Sequence, residues 1–586
     1  MKMLKNNKLE LYAPYFIGGA FLILCCFWNI VQANFPVVLN DEFGYLGNAA
    51  ILAGYPWNEL MAETPYYSVG YSILLVPLFI IFNDCFIIYR TAIIINIVLI
   101  ICSYLLIIYI INTTIECPSY QCALFAVAAV VSSNALFYSQ LAWSEIFLFF
   151  LMWLSVALVT KILCNRRLRD YFLLWGCLLV MFIVHQRAIC VIIGGIIWII
   201  YEISRHSKLS KCSKWVFVLA VAFLAVSIFL IQRYIMNIQI ERIYSSSETV
   251  SGNAEVLSQA LSLDILFALF FREGLLVIKS LLGIIAAIWF SSLGLAFLPL
   301  IHIRDCFGRK KSGDSNRCEL VMFILSVFII SLILSAIQTR YSYRQDVIVY
   351  TRYIDYCVGP MVLLGLLLLS GDRRRTRFYY SVCAIAFPCV LYIVGDEMKR
   401  ATVQSFNPAC SPSIGAMFQY IKMVLGNVNE GYSVLIVTHI GIMAGLILVW
   451  FIVSIDKKVF CNITTCLVIT FSIICFRYSN QWIMESRAAY REFAEQFGTY
   501  LCDEYASNNS KSILYMKHND QRDLYCTDVK YIQYRVLNIP IEIVKSNGNE
   551  DEYLDNVTCV ISDPNYPVLG KTPVITTSVL SLYESR

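Results

Sequence analysis

The chain has 586 residues, of which 59% are hydrophobic and 15% charged, with a mean hydropathy of +0.67. Soluble globular domains carry roughly a quarter charged residues, so this composition excludes an ordinary soluble protein and points to the bilayer. A net charge of +5 over this length gives no ground for a nucleic-acid partner.

In chain order, "MKMLKNNKLE" leads into an apolar run from about Leu11 to Ala33. The run is longer than a signal-peptide core and many more follow, so it reads as a retained first span. A hydrocarbon core of ~30 Å takes ~20 helical residues to cross. Runs of that kind predict thirteen spans, over 12–33, 86–111, 120–140, 145–163, 171–186, 188–203, 214–232, 274–300, 319–337, 353–370, 378–394, 432–453 and 459–476. The run 67–82, "YSVGYSILLVPLFIIF", is shorter and marked by Pro and Gly, and is expected at the outer surface.

With the N-terminus inside, the cytoplasmic connections become "MKMLKNNKLE", "NTTIECPSY", "CNRRLRD", "RHSKLSKCSK", "RDCFGRKKSGDSNR", "GDRRRTR" and "DKK". Six of these seven are basic, as the excess of Lys and Arg on cytoplasmic loops requires. The loop 34–85, the loop 233–273 and everything after about Arg477 then lie outside.

The last of these is a different material. A helix-like "ESRAAYREFAEQFGTYLCDEYA" is followed by strand-like "SILYM", "IPIEIV" and "VTCVISD", which predicts a small α/β domain over 477–586 behind a membrane domain over 1–476. Most of the 22 cysteines (Cys25, Cys26, Cys102, Cys177 and Cys190 among them) sit within apolar runs as small hydrophobes, and none has zinc-ligand spacing. No internal repeat, Walker loop or dinucleotide fingerprint is present.

Candidate sites collect at the outer ends of spans. Asp41 and Glu42, in "NDEFGYLGNAAILAG", follow the first span directly. Adjacent carboxylates there either solvate the interface or, beside the bilayer, are poised for raised proton affinity and general-base work. Glu145, in "YSQLAWSEIFLFFLMWL", follows Ser144 and reads equally as the acidic first turn of a capped helix. His185 and Arg187 lie in "VHQRAICVIIGG" and Lys279 in "EGLLVIKSLLG", near the outer ends of their spans. Arg352 and Tyr353 open the late span "VIVYTRYIDYCVGPMVLLGLLLL", either as an interfacial anchor or as a forked donor suited to phosphate oxygens.

"NDEFGYLGNAAILAG", "TPYYSVGYSILLVPLFIIFND" and the arginine of "IYRTAIIINIVLI" resemble the first outer loop and second span of GT-C membrane glycosyltransferases. The likeness is strongest to the branch of protein O-mannosyltransferases and aminoarabinose transferases. It covers roughly residues 10–370, thins over 371–476 and does not extend to the C-terminal domain. The apolar runs and the C-terminal pattern, together with this resemblance, predict an α-helical polytopic membrane protein of about 13 transmembrane helices (GT-C-like) with a small C-terminal extracytoplasmic α/β domain. The resemblance implies a polyprenyl-phosphate-linked sugar donor and an extracytoplasmic acceptor hydroxyl on a glycan, lipid or protein, with inversion at the anomeric carbon. By position, Asp41 becomes the catalytic base with Glu42 beside it. Glu145, Arg352 and Tyr353 become substrate-binding residues, and Arg187 and Lys279, from their own places near the outer ends of spans, are expected to join them on an anionic donor. No cofactor is implied, and a divalent cation is left open. The expected location is the cell membrane, in the envelope. The rival readings are a lipid-linked glycan flippase or secondary transporter, disfavoured by the missing repeat, and a surface-polysaccharide polymerase or ligase.

Overall fold

The computed structural model describes residues 3–205, 211–244, 273–301, 315–341, 344–369, 373–401, 406–426, 457–507, 512–517, 526–545, 557–568 and 570–584. The expected span 432–453 and most of the loop 233–273 lie outside these residues.

The first helix, α1 (Met3–Phe27), is followed by a group of short elements that do not continue along it: α2 (Leu39–Leu52), α3 (Asn58–Ala62) and α4 (Val69–Ile81). Long apolar helices then succeed one another: α5 (Cys85–Thr114), α6 (Ser119–Val131), the single turn α7 (Ala135–Tyr138), α8 (Glu145–Asn165), α9 (Leu168–Val184), α10 (Ile189–Arg205) and α11 (Lys211–Ile243). After the first long undescribed stretch come α12 (Gly274–Ser292), α13 (Ser315–Gln338), the turn α14 (Gln345–Ile348), α15 (Asp355–Leu369), α16 (Arg373–Arg400) and α17 (Pro412–Leu425). The chain closes with α18 (Lys457–Ser507), α19 (Thr527–Val536) and five strands.

Among the described residues, six helices are long and apolar enough to cross a membrane by length and composition: α5, α8, α12, α13, α16 and α18. Four shorter apolar helices, in α1, α4, α6 and α15, join them. Two of the expected spans are interrupted among the described residues, and the breaks have local causes. The expected span 120–140 stops at Val131 because Asn134 takes the left-handed conformation (φ 56°), which Asn tolerates better than other side chains. The expected span 274–300 breaks after Ser292, where Leu293 and Gly294 both have positive φ. The run 67–82 folds as α4, whose 13 residues give only ~20 Å of helix. It lies against α2 and α9.

Helix α8 is the hub. It packs on α5, α9, α13 and α15, and 78% of its apolar window is buried. A hub helix buried on all sides is apolar all round, as α8 is, and shows no amphipathic stripe. Its first residue, Glu145, therefore starts in the interior of the bundle end rather than at its edge.

The boundary expected at 476/477 falls inside α18, which runs unbroken for 51 residues. Beyond it, β1 (Ser512–Lys517), β2 (Ile541–Lys545), β3 (Val557–Ser562), β4 (Pro573–Thr576) and β5 (Ser581–Glu584) form one sheet in the order β2-β1-β3-β5-β4. β1 runs parallel to both β2 and β3, joined to β2 through α19, and β5 is antiparallel to β3 and β4. Parallel neighbours need such a helical crossover. β3 is buried along its whole length, as expected of a central strand.

Candidate active site

The chain from Ala33 to Val38 is non-helical, buried from Ala33 to Val37, and it leads into α2 with two acids in its first turn. The two acids meet different partners. Glu42 is fully buried, and both of its oxygens are taken by protein donors. Oε2 accepts the amides of Val37 (2.6 Å) and Val38 (2.8 Å), while Oε1 accepts the amide of Ala142 (2.8 Å) and the phenol of Tyr89. Burial holds the Glu42 carboxyl above its ordinary range, and these donors offset that only in part. Glu42 thus ties this segment to the 139–144 turn and has no lone pair turned to a ligand. Glu42 was expected to stand beside Asp41 in the chemistry; the structure places four donors on its carboxylate, which fills its acceptor sites.

Asp41 points toward the other arm of the site. Its Oδ2 pairs with Nη1 of Arg352 at 2.7 Å, and its Oδ1 accepts the Tyr67 hydroxyl at 2.6 Å. Arg352 also gives Nε to Oε1 of Glu145 at 2.6 Å, and the same oxygen receives Nη2 of Arg187 at 3.0 Å. The Arg352 guanidinium lies 3.9 Å from the centre of the Trp143 ring, and that of Arg187 lies 5.4 Å from the Tyr353 ring. Four charges of alternating sign, drawn from α2, the start of α8, the turn after α9 and the loop before α15, therefore share one cluster.

Exposure separates its members. The side chains of Glu145, Arg187 and Arg352 are 3%, 7% and 8% exposed, whereas Asp41 is 24% exposed. Only Asp41 among the acids of this cluster has a face open to an incoming molecule. Arg187 keeps Nε and Nη1 without a hydrogen-bond partner among the described residues, and so do Oε2 of Glu145 and Oδ1 of Asp355. These atoms belong to residues that line one small cavity, with room for about a single water molecule.

Five of the seven residues expected from the sequence meet here: Asp41, Glu145, Arg187, Arg352 and Tyr353. Lys279 does not. Its ammonium pairs with Glu397 of α16 at 2.7 Å, part-exposed and between two helices. Ser144, expected as a capping residue for α8, makes no capping bond; its hydroxyl meets the phenol of Tyr45 on α2 at 2.7 Å.

Several residues were not foreseen. Asp355 accepts Asn134 (3.1 Å), Tyr138 (2.7 Å) and Thr351 (3.1 Å), tying the broken α6–α7 corner to the Arg352 loop. That loop is held by the amides of Thr351 and Arg352, both donating to the Cys410 carbonyl. Tyr67 and Trp143 carry a faint signal, as aromatics next to the quoted acidic motifs. Arg487 carries none, since it lies 452 residues from Phe35 and 347 from Gln140: its Nε donates to the Phe35 carbonyl at 2.8 Å and its Nη2 to that of Gln140 at 2.7 Å.

Tyr67 reaches Asp41 because Gly44, one turn into α2, has no side chain. A Cβ there would sit 2.0 Å from the Tyr67 ring. Gly44→Ala is expected to cost ~1–3 kcal/mol by overpacking. Gly176→Ala, where a Cβ meets nothing within 4 Å, should instead be neutral or gain up to ~1 kcal/mol from helix propensity. Thermal unfolding of the purified variants compares them, and equal midpoints would show that the Tyr67 ring is not fixed against α2.

No family model matches the chain, and neither does any curated protein. Solved structures do. The chain is similar to ArnT from Cupriavidus metallidurans in its apo state, with TM-score 0.53, 11% identity and 97% of each chain covered. It is similar to the same protein bound to undecaprenyl phosphate, with TM-score 0.52, 10% identity and again 97% of each chain. A looser likeness, TM-score 0.45 at 10% identity, is to the apo oligosaccharyltransferase of Archaeoglobus fulgidus, over 95% of this chain and 70% of that one. At such identities the common property is the fold, and the likeness spans nearly all of both chains: the chain has the fold of ArnT.

Proposed function

We propose that the chain is an integral-membrane glycosyltransferase that moves a sugar from a polyprenyl-phosphate carrier to an acceptor hydroxyl on the extracytoplasmic side. The observation that carries this reading is the pairing of the half-open Asp41 with the buried Arg352, itself backed by Glu145 and Arg187. The bound lipid of the ArnT structure, undecaprenyl phosphate, is a carrier of this class.

Each member then has a chemical task. Arg352 meets the phosphate oxygens through its planar fork and stabilises the charge that develops as the glycosidic bond to phosphate breaks. Arg187, with two uncommitted guanidinium nitrogens, Nε and Nη1, adds donors on the same side. Glu145 holds both guanidinium groups in place. Asp41 takes the proton from the acceptor hydroxyl as that oxygen attacks the anomeric carbon from the opposite face, which inverts it. Since Arg352 occupies Oδ2 of Asp41 in the resting arrangement, donor phosphate and Asp41 compete for one guanidinium. Arrival of the phosphate releases the carboxylate toward the acceptor, so the donor binds first.

The experiment is incubation of the purified full-length chain, in lipid nanodiscs, with a panel of radiolabelled polyprenyl-phosphate sugars and membrane or wall fractions. Transfer from at least one donor is expected. Transport of the intact lipid-linked sugar across a vesicle membrane, with no transfer, would replace this reading with the flippase.

The orientation is proposed from the basic loops: N-terminus inside, C-terminal sheet outside. Arg167, in the exposed turn between α8 and α9, and Tyr566, in the exposed turn after β3, are the test positions. In a cysteine-depleted chain, Tyr566→Cys is expected to react with an impermeant thiol reagent on intact cells and Arg167→Cys only after lysis. The reverse pattern would invert the protein and place Asp41 in the cytoplasm.

A further inference from the structure

The segment that carries Asp41 is gripped by residues almost five hundred positions away. On α19, the Tyr531 hydroxyl donates to the Val37 carbonyl at 3.2 Å. The ammonium of Lys530, a fully buried residue, lies 3.4 Å from Oδ1 of Asn40 and 3.3 Å from the Glu63 carbonyl oxygen. At the end of β1, Lys517 pairs with the Glu63 carboxylate at 2.5 Å. Phe35 stacks on the Tyr531 ring at 6.0 Å, and Tyr531 in turn stacks on Tyr490 of α18 at 4.4 Å.

These contacts close a clamp. The inner edge of the segment is fixed by Glu42, which takes the Val37 and Val38 amides; the outer edge is fixed by Tyr531 and, at Asn40, by Lys530. Asn40 is the residue immediately before Asp41. Burying an ammonium is costly unless it is held by acceptors, so a fully buried Lys530 marks a specified contact and not an incidental one. Asp41 lies in the first turn of α2, so it is only as well placed as the helix start that these contacts hold, and misplacing a reacting group by about 1 Å costs roughly 10²-fold.

We propose that Lys530 and Tyr531 are positioning residues for Asp41, which makes the C-terminal α/β segment a working part of the transfer site. The catalytic half of this inference rests on Asp41 being the base; the clamp itself does not.

The test uses the full-length chain in nanodiscs, with Lys530→Met/Tyr531→Phe, each single variant, and Lys530→Arg. Tyr500→Phe is the control, since it removes a bond to Glu584 elsewhere in the C-terminal segment. Two readings are taken: hydrogen exchange of the amides at 37–42, and the split of kcat against donor KM. For the double variant, exchange at 37–42 is expected to rise about tenfold while that of α8 stays put. Its kcat should fall at least about tenfold with donor KM within about twofold. Lys530→Arg, which keeps a donor, should retain the protection and most of kcat. Tyr531→Phe keeps the ring stack and tests the hydroxyl alone should the double variant fail to fold; it is expected to show the same effects in smaller measure. Unchanged exchange in a folded variant overturns the clamp. Raised exchange with unchanged kcat, or a change confined to KM, overturns the positioning role. Should the wild type transfer from no donor, the proposed function falls, and the exchange data still decide whether the clamp exists.

Discussion

Asp41→Asn is expected to lower sugar transfer by ~10²–10⁴-fold, the usual contribution of a general base, in a chain that still folds and inserts. Asn has the same shape and keeps an oxygen for the Tyr67 hydroxyl, but it cannot take a proton from an acceptor. Among the three acids gathered around α2 and α8, Asp41 is the one an acceptor can reach: its side chain is 24% exposed, against 3% for Glu145 and full burial for Glu42. Initial rates at saturating donor give the comparison, with elution profile and thermal midpoint as checks of folding. Turnover above about a third of wild type would assign the base to another group.

A parallel Glu145→Gln variant fails in a different way. It leaves Arg187 and Arg352 sharing a neutral amide in the interior, and removing one partner from a buried ion pair costs ~3–5 kcal/mol. Loss of activity there comes with loss of stability. The contrast between the two variants separates a residue that does chemistry from one that holds the chemistry in place.

What could be read in the sequence was local. Apolar runs and the position of acids and arginines at their ends depend on a few neighbouring residues, and they identified five members of the cluster. The breaks were less legible. Asn134 and the Leu293–Gly294 corner interrupt runs whose hydropathy is continuous, because a helix is ended by backbone geometry and by side-chain bonds such as Asn134 to Asp355. The different surroundings of Asp41 and Glu42 were hidden for a related reason. Adjacent residues in the first turn of a helix lie about 100° apart around its axis, so the acidic pair splits between two surroundings, and nothing local says which acid faces inward. The grip of Arg487, Lys530 and Tyr531 on the segment 34–40 is invisible locally, since it depends on how the last hundred residues return to the first forty.

Arg352 carries the second large effect, and it discriminates a phosphate grip from a membrane anchor. The guanidinium already makes a two-pronged contact, Nη1 to Asp41 and Nε to Glu145, and lies over Trp143. Lys keeps the charge but neither the fork nor the flat stacking face. Arg352→Lys is therefore expected to weaken donor binding, and Arg352→Ala to weaken it further, by the ~1.5–3 kcal/mol of hydrogen bonds to charged groups, or roughly 10- to 150-fold in affinity. Acceptor dependence should change little. The competition between donor phosphate and Asp41 adds a sign that an anchor cannot mimic. Asp41→Asn removes the internal rival for Arg352, so donor binding should tighten in the same variant whose turnover collapses, and this gain should vanish once Arg352 is also Ala. Measuring donor affinity directly, by binding to the four variants in nanodiscs without acceptor, checks each step. Equal affinities for Arg and Lys at 352 would sink the phosphate role, because a residue that only anchors the span end can snorkel equally well as either.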